Sequence, residues 1–331
     1  ANNTAAGAST LALGNENEAR GPATTAIGVG SKALDKQSVA IGNVARAAKQ
    51  GSIAIGSYVN AETTNTGTAT APVYNTIENG VFSTAVGSQS LATKSYATAY
   101  GYLSKAQSVS AVALGVNNKV NENSDGSTAV GSGNTATGQY TSAFGRENTV
   151  NRGGSIAAGY NNTADGDRNV AIGNQNTTAG EDSIGIGSKT IAGTGKTIAI
   201  GNTMVNKDYP TGRATIARGN DTVNTATGQV NNVFALAIGS GAQADGKAKS
   251  ASGMIAIGQE VKADNNNTIA IGVKTEATGN NGTAVGGYAK AIGTSSAAFG
   301  TQAIANGIGA TAFGPGASAG TRSEEHTSEL Q

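Results

Sequence analysis

A five-residue unit, Ser38-Val39-Ala40-Ile41-Gly42, recurs along this chain with a dominant spacing of fourteen residues, and that repeat narrows the possible folds most. Its closing glycine stands at Gly14, Gly28, Gly42, Gly56, Gly87, Gly101, Gly115, Gly131, Gly145, Gly159, Gly173, Gly187, Gly201, Gly239, Gly258, Gly272, Gly286, Gly300 and Gly314. Two positions earlier the residue is Ala in every copy but one, where it is Gly185. The position just before the glycine is always apolar, with Tyr100, Phe144, Ala158, Phe299 and Phe313 replacing the usual Ile, Val or Leu. Fourteen residues are too few for a helical pair, and the alternation inside the pentapeptide has the period of a strand. A fixed short period of this kind marks a stacked repeat architecture in which each unit is buried only by its neighbours.

Each unit has a second half. Five residues after the glycine Ala is frequent (Ala33, Ala47, Ala92, Ala136), and three residues after it stands a small or short polar residue such as Ser31, Ala45, Ser90 or Thr275. The unit therefore reads strand, turn, strand, turn, and predicts an all-β fold of parallel coils. Composition agrees with a thin interior: 49 glycines, 4% aromatic residues, no Trp and no Cys. The 13% of charged residues is low for a disordered chain, and β-branched residues are kept throughout. Net charge is +1, so overall charge points to no partner.

Strand alternation places Val39 and Ile41 on one face of the first strand and Ser38, Ala40 and Gly42 on the other. Two short strands per coil enclose little volume, so the small residues are expected inside and Ile and Val outside. The opposite parity, with Ile and Val inside the roll, is the alternative. With the small residues inside, Ile and Val form an outward apolar stripe far larger than soluble monomers expose. The sequence thus predicts a homo-oligomer held by Leu13, Ile27, Val39, Ile41, Ile53, Ile55, Ile172, Ile200, Ile257 and Ile271, without fixing the number of copies.

The copies Ser38-Val39-Ala40-Ile41-Gly42, Ser52-Ile53-Ala54-Ile55-Gly56 and Thr268-Ile269-Ala270-Ile271-Gly272 closely resemble the head repeats of YadA-like trimeric autotransporter adhesins. The resemblance covers nearly all of residues 1–321. It implies a left-handed parallel β-roll, a homotrimer, and display at the cell surface on the outer membrane of a Gram-negative bacterium. It also implies attachment to host matrix proteins, host cells, surface glycans or neighbouring bacteria. Neck, stalk and membrane-anchor patterns are not found in this stretch and are expected elsewhere in the protein. A structural rod of a phage fibre or another surface layer is the alternative.

Four spacings break the period: two extra residues between Gly115 and Gly131, five between Gly239 and Gly258, and two large inserts at about 57–82 and 202–234. Both large inserts contain a Pro and a Tyr (Pro72 and Tyr74, Pro210 and Tyr209), and both return through Val-Phe, at Val81-Phe82 and Val233-Phe234. Loops on solenoids often carry binding, so the inserts are candidate contact regions. Residues 322–331 break with everything before them and read as translated sequencing adapter; they are left out of the fold argument, along with His326, the single His.

No catalytic constellation is expected, and no cofactor or metal. Without Cys, and with His326 set aside, the usual nucleophile–base pairs and transition-metal sites have no members. Asp165-Gly166-Asp167-Arg168-Asn169 begins like a calcium loop, but Val170 stands where Gly is required and Asn176 where Glu is required. Gly193-Thr194-Gly195-Lys196-Thr197 ends like a phosphate loop and lacks its first glycine. The remaining candidate is a basic column four residues after the motif glycine: Lys32, Arg46, Lys105, Lys119, Lys262 and Lys290, with Glu18 and Glu276 against it. Such a ridge attracts acidic glycans or acidic matrix proteins; it also serves as a solvated face that keeps rods apart.

Overall fold

The computed structural model describes residues 2–59, 61–63, 74–76, 80–193, 196–202, 216–218, 222–223, 230–231, 234–245 and 253–320. The sequence-predicted tail, 322–331, and most of both inserts lie outside them. All regular elements among the described residues are strands. The chain divides into two compact units, Ala1–Asn162 and Thr163–Gln331. Each is a parallel β-solenoid.

In the first unit the pentapeptide strands stack in parallel, column on column. Thr25–Val29 pairs with Val39–Asn43, placing Ala26 beside Ala40, Ile27 beside Ile41 and Gly28 beside Gly42. Val112–Val116, Thr128–Ser132 and Ser142–Arg146 continue the pattern in the same register. The second strands are two residues long, as in Lys32–Ala33 and Arg46–Ala47. They stack among themselves in parallel. The second unit repeats the arrangement, with Ile255 beside Ile269 and Lys262 beside Glu276.

Four columns fill the interior: the Ala of the pentapeptide, the residue before it in the same parity, and the third and fifth residues after the glycine. Ala26, Ala40 and Ala54, with Ser38 and Ser52, are fully buried, as are Ala33 and Ala47. Val39, Ile41, Ile53 and Ile55 are partly exposed on the other face. Among the described residues the small side chains of the pentapeptide are therefore inside, and the opposite parity does not occur. A roll this thin closes because Ala and Ser let the two strand layers approach; Ile in those columns would overpack it.

The repeated glycine is fixed by the same closeness. Gly28 has φ of 127°, and a Cβ there would lie 1.9 Å from the carbonyl oxygen of Gly42 in the next coil. Only glycine tolerates both the backbone angle and the approach. Corners of the coil impose a second, less visible demand. The residue two after the glycine and the residue five before it adopt left-handed backbone angles, occupied by non-glycine residues such as Val44 (φ 55°), Glu147 (57°), Gln37 (61°) and Tyr96 (61°). For a β-branched residue such as Val44 that conformation is costly, and the hydrogen-bonded coils on either side hold it.

The inserts leave the pentapeptide stack in register. Ile53, Ala54 and Ile55 pair with Thr84, Ala85 and Val86 across the first insert. Across the second, Ile198, Ala199 and Ile200 pair with Leu236, Ala237 and Ile238. Each insert contains a short antiparallel pair, Ala61–Thr63 with Tyr74–Thr76 and Thr222–Val223 with Val230–Asn231. In the second insert Ile216–Arg218 rejoins the second-strand stack, between Ile191–Ala192 and Gln243–Asp245. The two Val-Phe returns, alike in sequence, differ in backbone: Phe82 sits in a left-handed corner (φ 53°), whereas Phe234 is already in strand, beside Lys196.

Candidate functional site

The outward face of the pentapeptide strands is the larger surface feature of each unit. In the first, Leu13 is 58% exposed and Tyr100 57%, with Ile27, Val39, Ile41, Ile53 and Ile55 partly exposed between them. In the second, Ile172 and Ile186 are exposed, and Ile200, Ile257 and Ile271 are partly so. These side chains project from consecutive parallel strands about 4.8 Å apart, so each unit carries a ladder of apolar groups with no charge in it.

The basic column does not form one ridge. Lys32 and Arg46 are in-register neighbours, as are Lys105 and Lys119. Like charges set side by side on adjacent strands repel. Acidic groups offset several of the six: Lys32 Nζ lies 3.6 Å from Glu18 Oε2, Lys262 Nζ 3.1 Å from Asp264 Oδ2, and Lys290 Nζ 3.5 Å from Glu276 Oε2. In the second unit Glu276 separates Lys262 from Lys290 on the strand stack. The structure thus brings the six together only as two basic pairs in the first unit and two ion-paired lysines in the second.

The column three residues after the glycine, read in the sequence as small or short polar, also carries a run of Asn. Asn118, Asn134, Asn148 and Asn162 occupy the third position after the glycine and are buried. Asn134 Nδ2 donates to Asn118 Oδ1 at 2.9 Å, Asn148 Nδ2 to Asn134 Oδ1 at 3.0 Å, and Asn162 Nδ2 to Asn148 Oδ1 at 2.9 Å. The same amides donate to backbone carbonyls, as Asn148 does to Phe144 and Gly159 at 2.8 Å each. In the second unit Asn176 Oδ1 accepts from the Thr190 hydroxyl at 2.6 Å. The readable signal was that Asn shares this column with Ala45, Val59 and Val261, residues that belong inside.

One exposed ion-pair group in the second unit shifts the ionisation of its members. Arg168 Nε donates to Asp182 Oδ1 at 2.5 Å and Arg168 Nη2 to Glu181 Oε1 at 3.1 Å, with Lys196 Nζ 3.7 Å from Asp182 Oδ2. The hydrogen bond from Arg168 holds the Asp182 carboxyl below its usual range, and Asp182 in turn raises Arg168. Asp165 and Asp167 lie in the same stretch, yet among the described residues no group of three or more His, Cys, Asp or Glu is placed to hold a metal ion. No helix among them is long and apolar enough to cross a membrane.

Comparison with known proteins agrees with the repeat. A family model described as the YadA head domain repeat matches residues 19–45, 36–58, 79–104, 123–148, 153–176, 263–289 and 291–317, just over half of the chain. No curated protein matches.

Proposed function

Because the chain belongs to the YadA head domain family, an adhesin-type, non-enzymatic solenoid of the cell surface, we propose that it forms the head of a trimeric autotransporter adhesin displayed on the outer membrane of a Gram-negative bacterium. The roll is left-handed, and three copies assemble through the outward ladder. The carrying observation is that ladder: Leu13, Ile27, Val39, Ile41, Ile53 and Ile55 leave an apolar face that water does not favour. Burying each such side chain stabilises an assembly by about 1.5–3 kcal/mol. The partners are host matrix proteins, host cells, surface glycans or neighbouring bacteria, touched by repeated weak contacts that sum by avidity across three copies.

Attachment of the purified chain to immobilised matrix proteins and host cells tests this reading, with two variants. One reverses Lys32, Arg46, Lys105, Lys119, Lys262 and Lys290 to Glu; the other excises 62–80 and 207–230. Loss with charge reversal and retention after excision places the contact on the basic pairs. The reverse outcome places it on the inserts. A wild-type chain that attaches to none of these surfaces removes the adhesin reading.

A further inference from the structure

We propose that one corner of the first unit, between Tyr96 and Tyr140, is a binding site for a neutral saccharide. The inference deepens the attachment reading above and rests on it. Tyr96 and Tyr140 are 61% and 71% exposed in a chain with few aromatic residues. Both occupy the corner five residues before the motif glycine, Tyr96 at φ 61° and Tyr140 at 54°. A bulky side chain gains nothing for the core there and takes a backbone conformation it disfavours. The coil imposes this angle at the corner whatever residue stands there, so what singles out these two is a large exposed aromatic group, which points to a use at the surface rather than to packing.

Both rings are braced. Tyr96 stacks on Phe82, with centroids 5.9 Å apart and planes 20° from parallel. Tyr140 lies over Gly126, where a Cβ would come within 2.9 Å of its ring; glycine in that coil makes the room. A saccharide therefore meets aromatic groups already held in place, which spares the ordering cost of binding.

The coils between the two rings offer small or polar groups. Ser110 and Gly126 fill the same corner, and both are exposed. Asp125, partly buried, is positioned through Oδ1, which accepts from the Ser108 hydroxyl at 2.6 Å and the Val109 amide at 3.0 Å. That anchoring turns the second carboxylate oxygen into a fixed acceptor. Leading into Asp125, the interval from Gly115 to Gly131 carries two residues beyond the fourteen, which swells this corner at 121–124. The rings are three coils apart, about 14 Å along the stack.

This chemistry suits a short run of pyranose rings. Apolar C–H faces of sugars pack on aromatic π faces, which are electron-rich, and sugar hydroxyls donate to a carboxylate. A polyanionic glycan fits poorly beside Asp125.

Saturation-transfer NMR on the intact chain tests the site, with cellohexaose, maltohexaose and mannohexaose as probes and a heparin hexasaccharide for contrast. At least one neutral hexasaccharide is expected to bind with Kd of about 1 mM. Tyr96→Ser and Tyr140→Ser should each weaken it about five-fold or more, and Tyr96→Phe should keep it, since stacking needs the ring and not the hydroxyl. Serine is a safe replacement, because Ser9, Ser110 and Ser295 hold the same corner angle. Asp125→Asn, which keeps the Oδ1 acceptor, should weaken binding less than either serine variant. The site is overturned if no neutral hexasaccharide binds, if both serine variants bind as wild type does, or if they change the light-scattering mass, which would make the corner a contact between copies. Wild-type attachment without hexasaccharide binding overturns the site and leaves the adhesin reading; hexasaccharide binding by a chain that attaches to no surface does the opposite.

Discussion

Asn148 Nδ2 lies 3.0 Å from Asn134 Oδ1 inside the first unit, one rung of a buried amide ladder. The two amide hydrogens of Asn148 are shared among the Asn134 oxygen of the coil before it and the carbonyls of Phe144 and Gly159, so the ladder is a polar spine whose donors are engaged. Asn148→Ala leaves Asn134 Oδ1 and the carbonyls of Phe144 and Gly159 without this donor. Shape is not the issue, since Ala45 occupies the same column. The expected loss is about 2–4 kcal/mol from unsatisfied buried groups, read as a lower urea midpoint. Asn148→Ser, which can imitate Ser31 in setting one hydroxyl hydrogen between two carbonyls, should lose roughly half as much. Equal midpoints for wild type and Asn148→Ala would show that water replaces the amide.

Two glycines separate close approach from backbone angle. At Gly28 a Cβ meets the next coil's carbonyl at 1.9 Å, whereas at Gly309 (φ 67°) nothing lies within 4 Å. Gly309→Ala should cost about 1–2 kcal/mol, the left-handed penalty alone. Gly28→Ala should cost more than about 4 kcal/mol, among the exceptional values for a single substitution. Urea unfolding of the two variants side by side checks the difference, and similar losses would mean that the coils separate easily.

Much of this architecture was legible because the period is short and rigid: once Ala40 and Ile41 are assigned faces, every coil inherits them. Interior volume then decided parity, as two-residue second strands leave room for small and short side chains and not for a column of Ile. Three features escaped for physical reasons. Asn134 and Asn148 were not recognised because a polar side chain suggests water, and only pairing between coils makes its burial tolerable. Val44 and Tyr96 were not recognised as corner residues because left-handed angles are usually sought at glycine. Phe82 and Phe234 looked equivalent because a shared dipeptide does not record the backbone angle that each insert imposes. The basic column was readable residue by residue, but the carboxylate that offsets Lys262 comes from Asp264, two residues on, which no column count includes.

The ion pairs around Asp182 give the second unit a defined response to acid. Arg168 lowers the Asp182 pKa in the fold. A depressed carboxyl contributes stability that is complete above its unfolded pKa, about 3.9, and that is lost as pH falls through the folded value. The contribution is therefore constant from neutral pH down to about 5 and fades below about 4. Asp182→Asn should lower the neutral-pH midpoint by the same small amount that it removes from the acid sensitivity, small because the group is exposed and screened, and leave the midpoint in strong acid unchanged. Unfolding midpoints at several pH values for both proteins check this. Identical acid curves would show that other carboxylates govern the response.

The apolar ladder makes the most direct prediction about assembly. Ile41 and Ile55 are in-register neighbours, each next to an interior Ala but on the opposite face of the strand, and both point away from the roll. Replacing both with Asp leaves the interior of a single coil stack untouched, so circular dichroism should still report a β-rich fold. In an assembly built on this face, however, the two carboxylates of each copy would lie close to those of the others in a dry contact. Burying an unpaired charge costs several kcal/mol even after relaxation. Three copies meeting there would multiply the cost. The light-scattering mass should fall from a multiple of 32.4 kDa to that single-chain value. Arg46→Asp, on the second strand of the same coils, should leave the mass unchanged, because it alters charge without entering the ladder. A double Ile variant that keeps the wild-type multiple would mean that the copies meet through another face, and a wild-type chain of single-chain mass would mean that the exposed ladder has no copy to cover it.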